Sequence, residues 1–365
     1  MALLIPLPGF GRGINRPALR IDLIKKWILN MKLSALAGLA LVFGLTAPAL
    51  AAAPVYKLID HIKVPDGGFD YLAFDADSGH VNIARTDFTT VIDGKTGQVS
   101  ELRSAAHGHV VIHVPGTTLG VLPQGAGNIL VVDTAKDAPV ATLKGGMGPD
   151  GAAYDPFTKF VFVMNHGGGD VTVVDPVAAK VVATIPIGGT LEFPASNGTG
   201  KIFVNRTSVP EIAVIDAKTM TVTDHYKLNG CTHASGLAYI PDGKLLISSC
   251  QDRLAKVLQA DTGKEIASLP IGLGPDAVFY DPVRKLAFIP CGVDGVLKVI
   301  SVADPNHVSI VQTVPTQVGS RTGTVDPQTG RVYLIGFQHD AMRDGPVGPR
   351  PIPLKGTYEV LVVGP

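Results

Sequence analysis

The sequence predicts an all-β fold, a seven-bladed β-propeller of four-stranded blades in which the N-terminal strand closes the last blade. Three observations lead to this prediction. Glycine (42) and proline (28) are enriched among the 365 residues, as in chains with many short strands and turns. A pattern of apolar strands and acidic turns repeats about every 42 residues, a period typical of propeller blades. The two chain ends carry complementary parts of one repeat.

The N-terminal segment has the features of an export signal. Residues 33–53 read LSALAGLALVFGLTAPALAAA, an apolar run that follows Lys32 and ends in small residues. A basic start, an apolar centre and an Ala-x-Ala pattern are typical of a secretory signal peptide, here with cleavage near Ala51–Ala53. A transmembrane anchor is the alternative, but the apolar core before Pro48 is short for a membrane span.

This pattern divides the chain into two parts. We expect residues 1–53 to be an N-terminal extension and a cleaved signal peptide, with Met31 as an alternative start of translation. Residues 54–365 are then expected to form the propeller. The signal has bacterial features, so the predicted location is periplasmic or secreted, and the protein is not expected to span the membrane after cleavage.

The formal net charge of zero, from 31 basic and 31 acidic residues, averages two different segments. Residues 1–51 contain six of the basic residues and one of the acidic ones, so 25 basic and 30 acidic residues follow. An acidic chain is poorly suited to binding a phosphate backbone. We therefore do not expect the protein to bind nucleic acid. We also expect it to be a monomer.

Two independent markers define the repeat. An apolar–apolar–acid ending of a strand recurs at intervals of 40, 42, 41 and 45 residues, and a Gly-rich turn into an apolar strand recurs at similar spacing. Because both markers keep one period, we infer seven blades. The first marker lies at Asp93, Asp133, Asp175, Asp216 and Asp261, and the second at Asp70, His109, Asp150, Glu192, Ser235, Asp276 and Arg321.

One complete unit spans residues 150–187, where GAAYD, FVFVMN, VTVVD and VVATIPI alternate with turns. The last repeat ends with VLVVGP (360–365), which matches the third strand of that unit. Residues 55–65, VYKLIDHIKVP, resemble a fourth strand without its own blade. Pairing of the two ends would remove exposed sheet edges, so the N-terminal strand is expected to complete blade seven.

Residues 160–188 resemble the YVTN-type β-propeller repeat. Its tetrapeptide corresponds to Phe162-Val163-Met164-Asn165, followed by a Gly-rich turn and VTVVD, and a second copy is Ile202-Phe203-Val204-Asn205. The resemblance spans roughly residues 55–365 and implies the propeller fold. It does not imply an activity, because such propellers have unrelated functions.

The first strand of each propeller blade lines the central channel, so the seven second-marker positions are expected at one channel mouth. Six of them are ionisable and form a candidate binding ring. Close carboxylates shift one another's pKa, and this ring could therefore be a divalent-cation site or contain a general acid–base pair. The alternative is that the acids stabilise turns by accepting backbone N–H groups. The six are Asp70, His109, Asp150, Glu192, Asp276 and Arg321.

Four histidines form a second, overlapping candidate site. His107 and His109 are two residues apart, and on a strand they would face one side. The repeat places His166 and His233 nearby, so imidazole nitrogens could bind zinc or copper. Ordinary surface histidines in turns are the alternative. We therefore predict no certain cofactor, with a divalent cation as the candidate.

Blade seven contains an insertion between its second and third strands. Residues 337–359 replace a turn that takes about five residues elsewhere. A long Pro-rich loop of this kind often acts as a lid or a partner surface, although loops also tolerate insertions without a role. Its candidate binding residues are His339, Asp340, Arg343 and Arg350.

The chain contains three cysteines, Cys231, Cys250 and Cys291. Cys231 precedes the first strand of blade five and Cys250 ends its second strand, so these two are candidates for a disulfide in an oxidising compartment. A Cys250–Cys291 pair between adjacent blades and three buried thiols are the alternatives.

These features lead to two main hypotheses of function. The first is an exported, non-enzymatic scaffold that binds a protein partner or a small ligand through its top face and residues 337–359. The alternative is a metal-dependent hydrolase, similar to seven-bladed propeller lactonases, with carboxylates at the channel. A third hypothesis is electron transfer through copper bound by the histidines.

Overall fold

The computed structural model describes residues 54–345 and 348–365, and the predicted extension and signal peptide at 1–53 lie outside the described residues. Seven four-stranded antiparallel sheets form the blades of a β-propeller. The predictions of an all-β fold, of seven blades and of four strands per blade are therefore confirmed. No helix among the described residues is long and apolar enough to cross a membrane.

In most blades the four strands follow one another in chain order and pair with their neighbours. β1 (Lys57–Lys63) precedes the first complete sheet. Blade one contains β2 (Phe69–Asp75), β3 (His80–Arg85), β4 (Thr89–Asp93) and β5 (Val99–Leu102); blade two contains β6 (Ile112–His113), β7 (Leu119–Gln124), β8 (Asn128–Asp133) and β9 (Ala138–Lys144); blade three contains β10 (Pro149–Asp155), β11 (Phe160–Asn165), β12 (Asp170–Asp175) and β13 (Lys180–Pro186).

The remaining blades repeat this order until the insertion in blade seven. Blade four contains β14 (Leu191–Ser196), β15 (Lys201–Arg206), β16 (Glu211–Asp216) and β17 (Thr221–Lys227); blade five contains β18 (Ala234–Ile240), β19 (Leu245–Cys250), β20 (Leu254–Gln259) and β21 (Glu265–Pro270); blade six contains β22 (Phe279–Asp281), β23 (Leu286–Cys291), β24 (Val296–Ser301) and β25 (Ser309–Pro315). Blade seven begins with β26 (Gly323–Val325) and β27 (Val332–Gly336), the insertion forms β28 (His339–Arg343) and β29 (Arg350–Pro353), and the blade continues with β30 (Glu359–Gly364).

The two chain ends close the ring. β1 pairs antiparallel with β30, in a register that runs from Lys57 opposite Gly364 to Lys63 opposite Glu359, and so becomes the fourth strand of blade seven. Tyr56, just before β1, is 1% exposed and packs edge-to-face on Phe288 of blade six, with ring centroids 5.1 Å apart. The predicted closure by the N-terminal strand is confirmed, and it leaves blade seven with the same four strands as the other blades.

The hydrophobic core lies between blades. Strand side chains alternate between the two faces of each sheet, and both faces of the inner strands are covered by neighbouring blades. Buried apolar side chains accordingly form seven clusters, each built mainly by two adjacent blades. The central strands are buried along almost their whole length, as FVFVMN of β11 shows, whereas the outermost strands are largely exposed.

The repeated aspartates belong to turns between the third and fourth strands. Asp93 Oδ1 accepts the backbone N–H groups of Lys95 and Thr96 at 2.8 and 2.9 Å, and Asp175 and Asp216 make the same pair of hydrogen bonds. These bonds favour the ionised carboxylate, and the backbone N–H of Thr96 contributes most to lowering the pKa of Asp93. At these positions, the acid of the apolar–apolar–acid marker therefore stabilises the turn that follows the third strand.

The motif asparagine links adjacent blades. Asn205 is fully buried, and its Nδ2 donates to the carbonyl oxygens of Ser235 and Gly236 at 2.8 and 3.0 Å. Its Oδ1 accepts a hydrogen bond from Ser248 Oγ at 2.9 Å. Asn205 lies in blade four and its partners lie in blade five, so this residue satisfies a buried polar junction between two sheets.

Candidate functional site

The first strands of the blades meet around the central axis. β10 and β14, β14 and β18, and β2 and β26 are among the first-strand pairs in contact. Backbone hydrogen bonds also join neighbouring blades at their starts, as between Tyr71 N–H and the His109 carbonyl at 3.0 Å. The side chains at the starts of these strands therefore converge at one mouth of the channel.

Four of these side chains, together with His166 from a neighbouring turn, form a group that we call the channel-mouth cluster. His109 makes its shortest contacts. The Nδ1 atom of His109 lies 2.6 Å from Asp70 Oδ2 and 3.2 Å from Asp150 Oδ1. These three ligand atoms all lie within 4.8 Å of one another, in an arrangement that could hold a metal ion. The cluster consists of Asp70, His109, Asp150, His166 and Glu192.

The second half of the cluster is arranged around His166, in the turn after β11. Its Nδ1 atom lies 2.9 Å from the Leu191 carbonyl, 3.3 Å from Glu192 Oε1 and 3.7 Å from Asp150 Oδ2. Asp150 therefore faces one histidine with each carboxylate oxygen. Asp150, His166 and Glu192 are a second group whose ligand atoms lie within 4.8 Å of one another.

Burial and mutual repulsion perturb the acids of the cluster. Burial raises the pKa of Asp150 to about 7, and the negative charge of Asp70 adds to this effect. The pKa of Glu192 is raised well above its usual range by burial and by the charge of Asp150. Burial lowers the pKa of His109, but the hydrogen bond to Asp70 and the charge of Asp150 outweigh burial and leave it raised. The cluster therefore contains groups that can exchange protons near neutral pH.

Tyr71 is a site residue that the sequence reasoning missed. Its hydroxyl donates to Glu192 Oε2 at 3.2 Å, although the two residues belong to blades one and four. The ring is 3% exposed and packs edge-to-face on Phe193, with centroids 4.8 Å apart. Burial and the Glu192 charge raise the pKa of Tyr71 well above its usual range, so the hydroxyl stays protonated and can donate. Its position directly after Asp70 was the available signal.

The other side of the mouth carries an ion pair. Arg321 Nε donates to Asp276 Oδ2 at 2.7 Å, and the guanidinium lies over the Phe69 ring at 5.0 Å from its centroid. Burial raises the pKa of Asp276 and the charge of Arg321 opposes this increase. Ser235, the seventh position, is buried and donates to the Pro275 carbonyl at 3.0 Å, so its role in the described structure is packing between blades five and six.

The proposed four-histidine site does not assemble as predicted. His107 and His233 are both exposed and occupy left-handed turn conformations, with φ of 57° and 48°. His107 therefore does not share a strand face with His109, which was the basis of the prediction. Only His109 and His166 of the four belong to the metal-ligand groups found in residues 54–345 and 348–365.

A third histidine–carboxylate group lies outside the channel mouth, in blades one and two. Asp75, Asp77 and His113 have ligand atoms within 4.8 Å of one another, and no sequence pattern had singled them out. Asp77 Oδ2 accepts the Gly116 N–H at 2.6 Å and contacts His113 Nε2 at 2.8 Å, while Asp75 accepts the Ser78 hydroxyl at 2.6 Å. Asp75 therefore has its partner within its own turn, whereas the partners of Asp77 lie in blade two.

The insertion forms a hairpin beside the channel mouth. β28 pairs antiparallel with β29, and Arg343 lies directly opposite Arg350. A cavity of about 270 Å³ lies between this hairpin and blades one, five, six and seven. Arg321, Arg343 and Arg350 line it together with the aromatic residues Phe69, Phe337 and Tyr358. His339 and Asp340 belong to β28 but do not line this cavity.

Cys231 and Cys250 are joined by a disulfide with a Cα–Cα distance of 5.4 Å. Both cysteines belong to the packed interface of blades four and five. Cys291 is a buried free thiol, so the alternative Cys250–Cys291 pairing is not formed. Burial raises the pKa of the Cys291 thiol to about 12 and keeps it protonated.

Comparison with known proteins identifies structural relatives only. No protein-family model and no curated protein sequence matches this chain. A chain of hydrazine synthase from Kuenenia stuttgartiensis has a TM-score of 0.66 at 16% sequence identity, over 75% of this chain and 94% of that chain. A chain of a mitotic checkpoint complex crystal structure has a TM-score of 0.66 at 13% identity, over 86% of this chain and 92% of that chain. At such low identity these similarities establish the β-propeller fold and nothing finer.

Proposed function

We propose that this protein is a binding scaffold that holds an anionic organic ligand in the cavity between the β28–β29 hairpin and the channel mouth. The observation that carries the proposal is the cross-strand pair Arg343–Arg350 at this cavity. Like charges directly opposite each other on paired strands repel. Neither arginine forms an ion pair with another residue of the described chain, so the two oxygens of a bound carboxylate could accept hydrogen bonds from both guanidinium groups and reduce their repulsion.

The rest of the cavity supports a ligand that also has an apolar body. Phe69, Phe337 and Tyr358 supply aromatic surface, and Arg321 is already held in place by Asp276 and by the Phe69 ring. A largely apolar wall with a few oriented polar groups is typical of small-molecule sites. The volume of about 270 Å³ suits a small aromatic or aliphatic carboxylate.

Pairs of fragments that differ only in charge test this proposal. Phenylacetate and its neutral amide would be titrated into the protein by calorimetry, with Arg343→Gln/Arg350→Gln as the variant and Arg103→Gln, an exposed arginine paired with Glu101, as the control. A charge-assisted hydrogen bond contributes about 1.5–3 kcal/mol, so the carboxylate should lose about 10- to 100-fold in affinity in the double variant. Equal binding of acid and amide, or unchanged binding by the double variant, would exclude this site.

We also propose that the protein acts after export, in the periplasm or outside the cell. The signal-like segment at 33–53 is the basis of this proposal. The Cys231–Cys250 disulfide supports it, because disulfides persist in oxidising compartments. Fractionation of cells that express the untagged chain tests it: recovery of the protein only from the cytosol would contradict export.

A metal-dependent hydrolase is the second candidate function, because the channel-mouth cluster contains the carboxylate and imidazole groups that a catalytic cation would require. Turnover of a simple lactone by zinc-loaded protein, lost in Asp150→Asn, would support it. Absence of turnover in the zinc-loaded protein would leave the scaffold function as the better account.

A further inference from the structure

The channel-mouth cluster has the ligand geometry of a metal centre around His109. Asp70 Oδ2, His109 Nδ1 and Asp150 Oδ1 converge, with His109 Nδ1 at 2.6 Å from the first oxygen and 3.2 Å from the second. Zinc bonds of about 2.0–2.2 Å place neighbouring ligand atoms roughly 3–3.5 Å apart. The 3.2 Å contact already lies in this range, the 2.6 Å contact would lengthen by about 0.4 Å or more to admit an ion, and all three ligand atoms lie within 4.8 Å of one another.

One of these atoms lacks a partner in the described structure. Asp150 Oδ1 is buried and accepts no hydrogen bond from any described residue, although the side chain as a whole is 18% exposed. His109 has one Nδ1 atom, and its short contact is with Asp70. A single proton at this nitrogen cannot satisfy both carboxylates. A buried carboxylate oxygen without a donor is costly, and a cation at the same point would satisfy all three ligands.

Four carboxyl groups also lie close together around this point. Asp70, Asp150, Glu192 and Asp276 lie around the mouth, and the permanent cation among them is Arg321, which is paired with Asp276. Carboxylates buried together repel strongly unless a proton or a metal ion separates them. The fold therefore brings four carboxyl groups to one channel mouth, where a bound cation would separate them.

The surroundings orient the imidazole. A Cβ atom at Gly125 would lie 2.9 Å from His109 Nε2, so a larger residue at this position would push the imidazole from its place beside the carboxylates. Asp150 Oδ2 points to the second half of the cluster, where His166 Nδ1 is 3.7 Å away. Outer groups of this kind fix ligand orientation in metal centres.

We propose that Asp70, His109 and Asp150 bind one divalent transition-metal ion, for which zinc is the best match, and that Asp150 connects this ion to His166 and Glu192. One imidazole nitrogen with two carboxylate oxygens favours zinc over calcium, which prefers oxygen ligands alone. None of these three ligands lines the arginine-lined cavity, so the two proposals are tested independently. Zinc binding could be disproved while anion binding is confirmed, or anion binding disproved while zinc binding is confirmed.

The experiment uses the untagged protein after treatment with a chelator. Zinc chloride and calcium chloride would be titrated separately by calorimetry, and metal content would be measured after gel filtration. The variants are His109→Gln and Asp150→Asn. The matched control is His113→Gln, which removes the histidine from the group in blades one and two, where Asp77 already accepts the Gly116 N–H at 2.6 Å. Urea unfolding would establish that each variant is folded.

The expected result is about one zinc ion per chain, bound more tightly than calcium. His109→Gln and Asp150→Asn should each weaken zinc binding by at least about 100-fold, because each removes a direct ligand, whereas His113→Gln should leave it within about 2-fold. X-ray absorption of the zinc-loaded unsubstituted protein should show imidazole scattering, a readout that does not depend on any variant. The proposal is overturned if zinc does not bind, if calcium binds more tightly, or if His113→Gln removes binding while His109→Gln does not.

Discussion

Asp150 is the residue at which the structure makes its sharpest thermodynamic prediction. Its pKa rises from 3.8 to about 7 in the metal-free fold, so between these values the folded protein binds a proton that the unfolded chain has released. Binding of this proton favours the folded state. This contribution to the free energy of unfolding is largest at low pH and is lost as the pH rises through about 7. Asp150→Asn, which is neutral at every pH, should therefore stabilise the metal-free protein at about pH 8.

The magnitude follows from the pKa change. Each unit of pKa corresponds to about 1.4 kcal/mol, so ionised Asp150 costs about 4 kcal/mol at about pH 8 as an upper limit. Relaxation of Asp70 and His109, which lie next to Asp150, should reduce this value. We expect Asp150→Asn to raise the free energy of unfolding by about 2–4 kcal/mol at about pH 8 and by close to zero at about pH 4.

Urea unfolding in the presence of a chelator, followed by circular dichroism at both pH values, measures this difference. The control is Asp242→Asn, which removes an exposed carboxylate located 3.0 Å from Lys285 and should change stability by less than about 1 kcal/mol. An equal increase in the free energy of unfolding at both pH values would show that the stabilisation does not come from removing the ionised carboxylate. A loss of stability at about pH 8 would refute the electrostatic reasoning itself.

Two further substitutions test how the ring is held together. The Cys231–Cys250 disulfide closes a loop with a sequence separation of 19, for which the chain-entropy relation gives about 3 kcal/mol. Urea unfolding of the variant with both cysteines replaced by alanine should show a loss in the free energy of unfolding that exceeds the loss in Cys291→Ala by about 3 kcal/mol. Equal losses in the two variants would contradict a cross-link effect. Arg85 is 2% exposed and donates to the carbonyl oxygens of Pro65, Gly67 and Gly68 at 2.7–3.1 Å. Arg85→Met leaves these oxygens unpaired and should lower the free energy of unfolding by about 3–4 kcal/mol, whereas the exposed control Arg103→Gln should lower it by less than about 0.5 kcal/mol. Similar unfolding midpoints for the two variants would show that Arg85 does not stabilise the fold through these hydrogen bonds.

Much of the fold was predictable because the signals that encode it are local. Alternating side chains define strands, and acidic markers such as Asp93 and Asp175 accept backbone N–H groups in the turn that follows the strand. Closure was predictable because the missing fourth strand of blade seven stood at the other end of the chain, where β1 now pairs with β30. The insertion at 337–359 was also visible, but the opposition of Arg343 and Arg350 was not, since it depends on the register of the hairpin.

The candidate site was predictable only in part. Six ionisable positions were expected at the channel mouth, and five of them lie in the two contacts His109–Asp70–Asp150 and Arg321–Asp276. The sixth, Glu192, contacts His166 instead. The prediction for the histidines was wrong where it assumed a continuous strand. His107 stands two residues from His109 but has a φ of 57°, so the two residues do not belong to one continuous strand.

The sequence by itself determined the number of blades, the strands and turns within each and the pairing of the chain ends, because period-two alternation and turn residues act over a few positions. Only the tertiary structure decided which side chains meet. Tyr71 and Glu192 are 121 residues apart and share a hydrogen bond, because the ring brings the first strands of separate blades to a common axis. Burial at that axis, which no local pattern reports, is also what raises the pKa of Asp150 to about 7.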